Sequence, residues 1–207
     1  MRAKLLILVF AFLLTVFTCS INAQFRLFGP RQPRPTPQPM RKASDFISRQ
    51  APLKVNQSLL KEATSDNTRI VVSIPKQRAY LMIGEKIVAD GPVSSGRRGH
   101  ESPRGHLHVL EKDPNHHSSL YGDFVDGSGR VVRAGVSARI DSAPSGTHFA
   151  GAAMKWFLRL TEDGVGMHIG ILPGYPASHG CIRESVDGAK LFYDYVKVGT
   201  PVDVGDY

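Results

Sequence analysis

From Arg69 onward the chain is cut into apolar runs too short for helices and rich in β-branched residues. Ile70, Val72 and Ile74 alternate with Val71 and Ser73; residues 79–83 follow, then a Gly84-Glu85 turn and residues 87–89. Such runs, punctuated by turn residues, predict antiparallel strands. Further strands are expected at residues 106–110, 130–136, 156–160, 165–169 and 202–204, the fourth of these carrying His168 on a strand edge. Residues 93–99 read as a loop and Ser102-Pro-Arg-Gly as a tight turn. The polar stretch 112–129 reads as an exposed loop long enough to be a lid, with His116 and His117 solvated in it. One segment breaks the pattern: Val186, Ala189, Phe192, Tyr193 and Val196 recur at helical spacing, with Ser185 as cap and Gly199 beyond the end. The expectation is one mainly β domain over about residues 68–205, a sandwich or barrel of mixed strands with one significant helix.

The other end of the chain says where it works. Arg2 and Lys4 precede an uncharged apolar run at residues 5–17, then Thr-Cys-Ser-Ile-Asn-Ala. This is the layout of a secretory signal peptide over residues 1–23, and the run is shorter than the roughly 20 residues a spanning helix needs. The expectation is export to the periplasm or cell envelope, cleavage after Ala23 and no membrane anchor thereafter. Lipid attachment at Cys19 is disfavoured because Val16, Phe17 and Thr18 are not the small residues that processing requires. Residues 24–67 then read as a spacer: prolines at nearly alternate positions favour an extended tether, and Leu59, Leu60 and Ala63 suggest a short helix capped by Asn56 or Ser58. Without the leader the chain carries 24 basic and 18 acidic residues, a net charge of +6 spread along its length. With no aromatic-interleaved basic array, nucleic acid is not an expected partner, whereas anionic envelope polymers are compatible with the charge.

Export also changes the cysteine count. Once Cys19 leaves with the leader, Cys181 is the only thiol. Exported chains use cysteine mainly in disulfide pairs, so a solitary one needs a reason. Its neighbours, Ser178-His179-Gly180 before and Ile182-Arg183 after, do not read as a core strand, and His168 lies upstream. A thiol beside imidazole is the nucleophile and general base of acyl transfer. The glycine-bearing turn offers backbone N–H groups to an oxyanion. By residue type alone either His168 or His179 serves as base, and the same trio is also a conceivable zinc set, although its spacing matches no common zinc signature.

Ser178-His179-Gly180-Cys181-Ile182-Arg183 with upstream His168 resembles the signature of the L,D-transpeptidase (YkuD) catalytic domain. The likeness extends to the opening hairpin from Arg69, to Pro92-Val-Ser-Ser-Gly, to Ser102-Pro-Arg-Gly and to Val198-Gly-Thr-Pro-Val, in the family's order. The resemblance implies a YkuD-like fold and an enzyme of cell-wall biogenesis. Its partners would be peptidoglycan stem peptides, with carbapenems as covalent inhibitors; the enzyme would be a monomer and need neither metal nor other cofactor. By position Cys181 is the nucleophile, His168 the general base, Gly180 with Cys181 the oxyanion donors and His179 a support. The expected reaction joins stems by 3→3 cross-links with release of D-alanine. Close alternatives are an L,D-carboxypeptidase that passes the acyl group to water, a non-catalytic peptidoglycan-binding module and a secreted cysteine protease. Arg183 and Ser178 are expected to bind substrate, Arg183 by gripping a carboxylate or else by bracing the loop. Tyr175 and Trp156 are candidate cleft walls, with core packing the competing role for each. Three departures from the family's common pattern stand out, one being Arg183 where asparagine is often found, a variation the family admits. Ile169 intervenes after His168, where the family uses that residue's carbonyl to orient the imidazole, and Ser102 replaces threonine with little expected effect.

Overall fold

The computed structural model describes residues 50–207. The leader expected over residues 1–23 and the proline-rich part of the spacer lie outside the described residues. The strands expected from Arg69 are present. β1 (Lys54–Val55) and a single helical turn, α1 (Gln57–Leu60), lead into β2 (Thr68–Ser73), β3 (Arg78–Ile83) and β4 (Lys86–Ser94). Asn56 is the cap of α1, its side chain accepting from the N–H groups of Ser58 and Leu59. Then come β5 (Gly105–His108), β6 (Glu111–Asp113), β7 (His117–Val125), β8 (Val131–Ser137), β9 (His148–Ala153), β10 (Phe157–Arg159), β11 (Gly166–Ile169) and β12 (Ile182–Glu184). The helix α2 (Val186–Tyr195) and β13 (Pro201–Gly205) complete the chain.

The main sheet runs β5-β13-β2-β3-β4-β12-β11-β10-β6, with β1 added beside β4. It is mixed: β2, β3 and β4 pair antiparallel, whereas β11 with β12 and β13 with β2 pair parallel. Its two edge strands, β5 and β6, are joined by only Val109 and Leu110. Two residues span at most about 7 Å, so the edges must lie side by side and the sheet curls on itself. Val109 bonds through its backbone to Thr200 and Gly199 on one edge, and Leu110 bonds to Arg159 on the other. The curl is filled by Ile70, Val72, Leu81, Val88, Leu158 and Ile182, all fully buried.

α2 lies against this body through Ala189 and Phe192, and Ser185 Oγ accepts from the N–H of Gly188 at its start. Val186, expected on the packed face, is 60% exposed because it occupies the first position beyond the cap. At the other end Lys112 Nζ donates to the carbonyls of Tyr193 and Val196 and lies 4.3 Å from the Tyr193 ring centre. A cation on the last carbonyls satisfies acceptors that no backbone N–H reaches. Ser185→Ala is expected to cost about 1 kcal/mol through the lost cap, read as a lower urea midpoint with an unchanged slope.

Two expectations are corrected here. Residues 112–129 are not a loop: they hold part of β6 and all of β7, the central strand of a second sheet ordered β8-β7-β9. Their polarity reflects a strand that is wet at its start, where His117 and Ser119 are exposed, and buried at its end, at Phe124 and Val125. His168 is not on a strand edge either, since β11 is flanked by β10 on one side and β12 on the other.

Candidate active site

Parallel pairing of β11 with β12 sets Met167 against Ile182 and His168 against Arg183. Side chains alternate between faces along a strand, so Met167 and Ile182 enter the core and His168 and Arg183 share the outer face. Cys181 immediately precedes β12 on that same face. The expectation that Cys181 is not beside a core strand therefore fails, because Ile182 and Glu184 are both buried. The thiol belongs to the opposite set of positions and is half-buried.

The His168 ring is buried, and its Nδ1 lies 2.7 Å from the carbonyl oxygen of Ile169. A carbonyl can only accept, so Nδ1 carries the proton and Nε2 keeps its lone pair. The branched residue after the histidine thus leaves the orienting contact in place. Burial is the main influence on the ring; the Ile169 carbonyl opposes it, Arg183 and His116 reinforce it, and the pKa falls to about 4. Burial likewise raises the Cys181 thiol above its usual range, only partly offset by the Gly166 N–H and the Arg183 charge. At neutral pH the pair therefore rests as thiol and neutral imidazole. Gly166 has no room for a side chain, since a Cβ there would sit 2.4 Å from both the Leu158 carbonyl oxygen and the Phe157 ring.

The turn carrying the thiol is fastened to residues 95–102. Ser95 O accepts from the N–H groups of Ala177 and Ser178, and Arg97 N–H donates to Ser178 O at 3.0 Å. Ser102, expected to matter little, is buried and central to the fastening: its hydroxyl accepts from Gly96 N–H at 2.9 Å and donates to Gly180 O at 2.6 Å. Ser178 is also buried, with its hydroxyl donating to Cys181 O. It braces the turn. Gly180 has φ +121°, a conformation glycine adopts without strain. Of the two N–H groups expected to receive an oxyanion, that of Gly180 already donates to Ser178 Oγ at 3.2 Å. That of Cys181 makes no hydrogen bond among the described residues.

The other expected residues divide. Arg183 packs its stem over Gly170, where an added Cβ would meet its Cγ at 2.6 Å, and its guanidinium has no salt-bridge partner among the described residues. His179 is exposed, with Nε2 2.7 Å from Arg97 Nη1. Tyr175 is 49% exposed, and its carbonyl accepts from Ser94 Oγ. The Trp156 ring meets Tyr193 of α2 edge-on at 5.2 Å with Lys190 Nζ 5.5 Å off, so it packs on the helix. Four residues not singled out for the site enter it. Arg97, His100 and Tyr121 surround His179, the last two with ring centroids at 5.0 and 4.5 Å. His116 stacks on Phe157 at 4.2 Å, and Phe157 in turn lies 6.4 Å from His168. The adjacent pair Arg97-Arg98 after the Val93-Ser-Ser-Gly landmark was the one available signal for this group. No set of three or more metal-ligating side chains converges among the described residues.

The model of the L,D-transpeptidase catalytic domain (YkuD) family matches residues 67–204, two thirds of the chain. The chain belongs to the L,D-transpeptidase catalytic-domain family. Among solved structures, an L,D-transpeptidase from Mycobacterium smegmatis is similar with a TM-score of 0.51 at 23% identity, over 67% of this chain and 58% of that one. The L,D-transpeptidase LdtMt1, in complex with imipenem, gives a TM-score of 0.50 at 22% identity over 67% and 59%. At these identities the likeness establishes the fold, and the chain spans less than two thirds of the length of either structure. No curated relative matches. In this L,D-transpeptidase domain the thiol, the buried imidazole and the fastened turn sit in the segment that the family model covers.

Proposed function

We propose that the protein is an exported peptidoglycan L,D-transpeptidase in which Cys181 carries the acyl group and His168 moves the protons. The observation that carries this reading is the shared face of β11 and β12, on which a half-buried thiol and an imidazole whose Nδ1 is tied to Ile169 O both lie. Family membership supplies the substrate class, and the charged leader pattern at residues 1–23 supports delivery to the envelope.

The steps follow from the protonation states. As Sγ attacks the carbonyl carbon of the third stem residue, its proton passes to Nε2 of His168. The carbonyl π pair moves to oxygen, where the Cys181 N–H is the available backbone donor. Collapse breaks the amide C–N bond, and the departing D-alanine amine takes the proton from His168. The amine of a second stem then attacks the thioester, gives its proton to His168 and forms the new amide. Sγ leaves and recovers that proton, so the enzyme ends as it began. Water in place of the amine would give a tripeptide, the carboxypeptidase outcome.

Incubating the protein without its leader with disaccharide-tetrapeptide, followed by mass spectrometry, tests the reading. The expected product is a cross-linked dimer lacking one D-alanine. A tripeptide alone would reassign the activity as carboxypeptidase, and no product from folded protein would sink both. Imipenem, present in the complex of a structural neighbour, is expected to add its acyl mass to Cys181.

A further inference from the structure

Most arginines in the described residues are neutralised locally. Of ten, six lie within salt-bridge distance of a carboxylate, namely Arg69, Arg78, Arg104, Arg130, Arg133 and Arg159. Arg97 and Arg183 are among the four that do not, and both border the Cys181 turn. Arg97 is anchored there by its own N–H to Ser178 O, and its guanidinium reaches His179. Arg183 lies two residues beyond the thiol. Burial is the chief cause of the lowered Arg183 pKa, the Cys181 charge opposes it, and Arg97 lowers it further, so the two cations share one field. The carboxylate nearest Arg97 in sequence, Glu101, is committed elsewhere: it accepts from Gly99 N–H at 2.8 Å.

Uncompensated positive charge is costly to concentrate unless an anion completes it. Here the charge is held in register by the bonds that shape the turn. Arg97 spends one N–H on His179 Nε2 and retains other donors of its fork. The His179 pKa is lowered, first by the partial burial of the ring, then by Arg97, His100 and Arg183. The Tyr121 and His100 rings close two sides around it.

Building on the transpeptidase reading, we propose that Arg97 and His179, walled by Tyr121 and His100, form a carboxylate-binding subsite that grips a free carboxylate of the stem peptide and sets it against Cys181. Stem peptides carry several carboxylates, and each is distinguished by replacing it with its amide. Arg97 is then a substrate-binding residue and His179 its partner, which gives the exposed histidine a task other than proton transfer.

The test compares stem tetrapeptides, unmodified and singly amidated, on the wild type and Arg97→Ala. With the unmodified stem, Arg97→Ala is expected to raise KM roughly 10- to 100-fold, the range of a charge-assisted hydrogen bond, while kcat changes little. Amidation of the gripped carboxylate should weaken the wild type by a similar factor and Arg97→Ala no further. Arg130→Ala, which removes only an exposed pair with Asp126, should match the wild type. An equal loss on every stem would reduce Arg97 to a brace and overturn the subsite. A readout independent of turnover uses Cys181→Ala and the His179 ring resonances. Unmodified tetrapeptide should raise the His179 pKa, and the rise should vanish when Arg97→Ala is added. No rise, or an undiminished one, overturns the proposal. A rise that depends on Arg97, in a protein whose wild type turns over no stem, sustains the subsite and sinks the transpeptidase reading instead.

Discussion

Cys181→Ala is expected to bring stem-peptide turnover to background and to abolish the imipenem adduct, while His168→Ala lowers kcat/KM by roughly 10²- to 10⁴-fold, the span of a lost general base. The two variants fail differently because the resting pair is uncharged. Burial holds the thiol protonated, so loss of His168 removes the group proposed to take its proton. The pH profile follows with its sign. His168 has a folded pKa of about 4, so it is neutral and competent across the neutral range and is lost as a base only as pH falls toward that value. kcat/KM should therefore be flat from about pH 6 to 8 and decline well below the ordinary histidine range of about 6.5. An acid limb near 6.5 that disappears in His179→Ala would transfer the role of base to His179. Iodoacetamide alkylation of the free protein should be slow at pH 7 and accelerate only above the usual thiol range.

Much of the frame behind this site is legible in the amino acids. The alternation at Ile70, Val72 and Ile74 and the run at residues 79–83 predict β2 and β3, because both strands bury one face against a core. The Ser185 cap and the Ala189-Phe192 spacing predict α2 for the same reason. Legibility fails where backbone pairing, and not side-chain burial, holds the structure. β7 is Asp-, His- and Ser-containing, and its ladder to β8 and β9 leaves no hydrophobic rhythm along most of its length. Cys181, His168 and Gly180 stand out by chemistry. Arg97 and Tyr121 reach the same turn from separate strands and loops, a convergence that only the tertiary pairing creates. Trp156 illustrates the reverse: an aromatic near the catalytic segment belongs to the helix packing, with φ +57° aiming its ring there.

Glu184→Gln is expected to have the largest effect on stability. Glu184 ends the strand that begins just after the thiol, is buried among apolar residues, and neither carboxyl oxygen has a hydrogen-bond partner. Burial alone raises its pKa to about 8, so the folded protein holds it protonated at neutral pH. In the unfolded chain it ionises near 4.5. Between those values the unfolded state binds one proton fewer, and stability falls with rising pH by about 1.4 kcal/mol per unit. The contribution is fully present below pH 4.5 and is lost on the way to pH 8. Urea unfolding from pH 5 to 8 should show this slope in the wild type and lose it in Glu184→Gln, which is uncharged in both states. A slope that persists in the variant would assign it to other groups.

The pairing of β13 with β2 sets residues 202–205 beside residues 70–73, so the last strand of the domain completes the hairpin that opens it. Ser73 Oγ also donates to the carbonyl of Tyr207. A sheet closed by its most distant segments pays its loop-closure entropy late and folds slowly. Until the C-terminus is available, β2 lacks its parallel neighbour and the Val109 seam has no Thr200 to bond. Such topology delays folding until β13 has been delivered. The domain's own connectivity thus makes β13 the closing element, and removing residues 201–205 should leave a polypeptide with no cooperative urea transition.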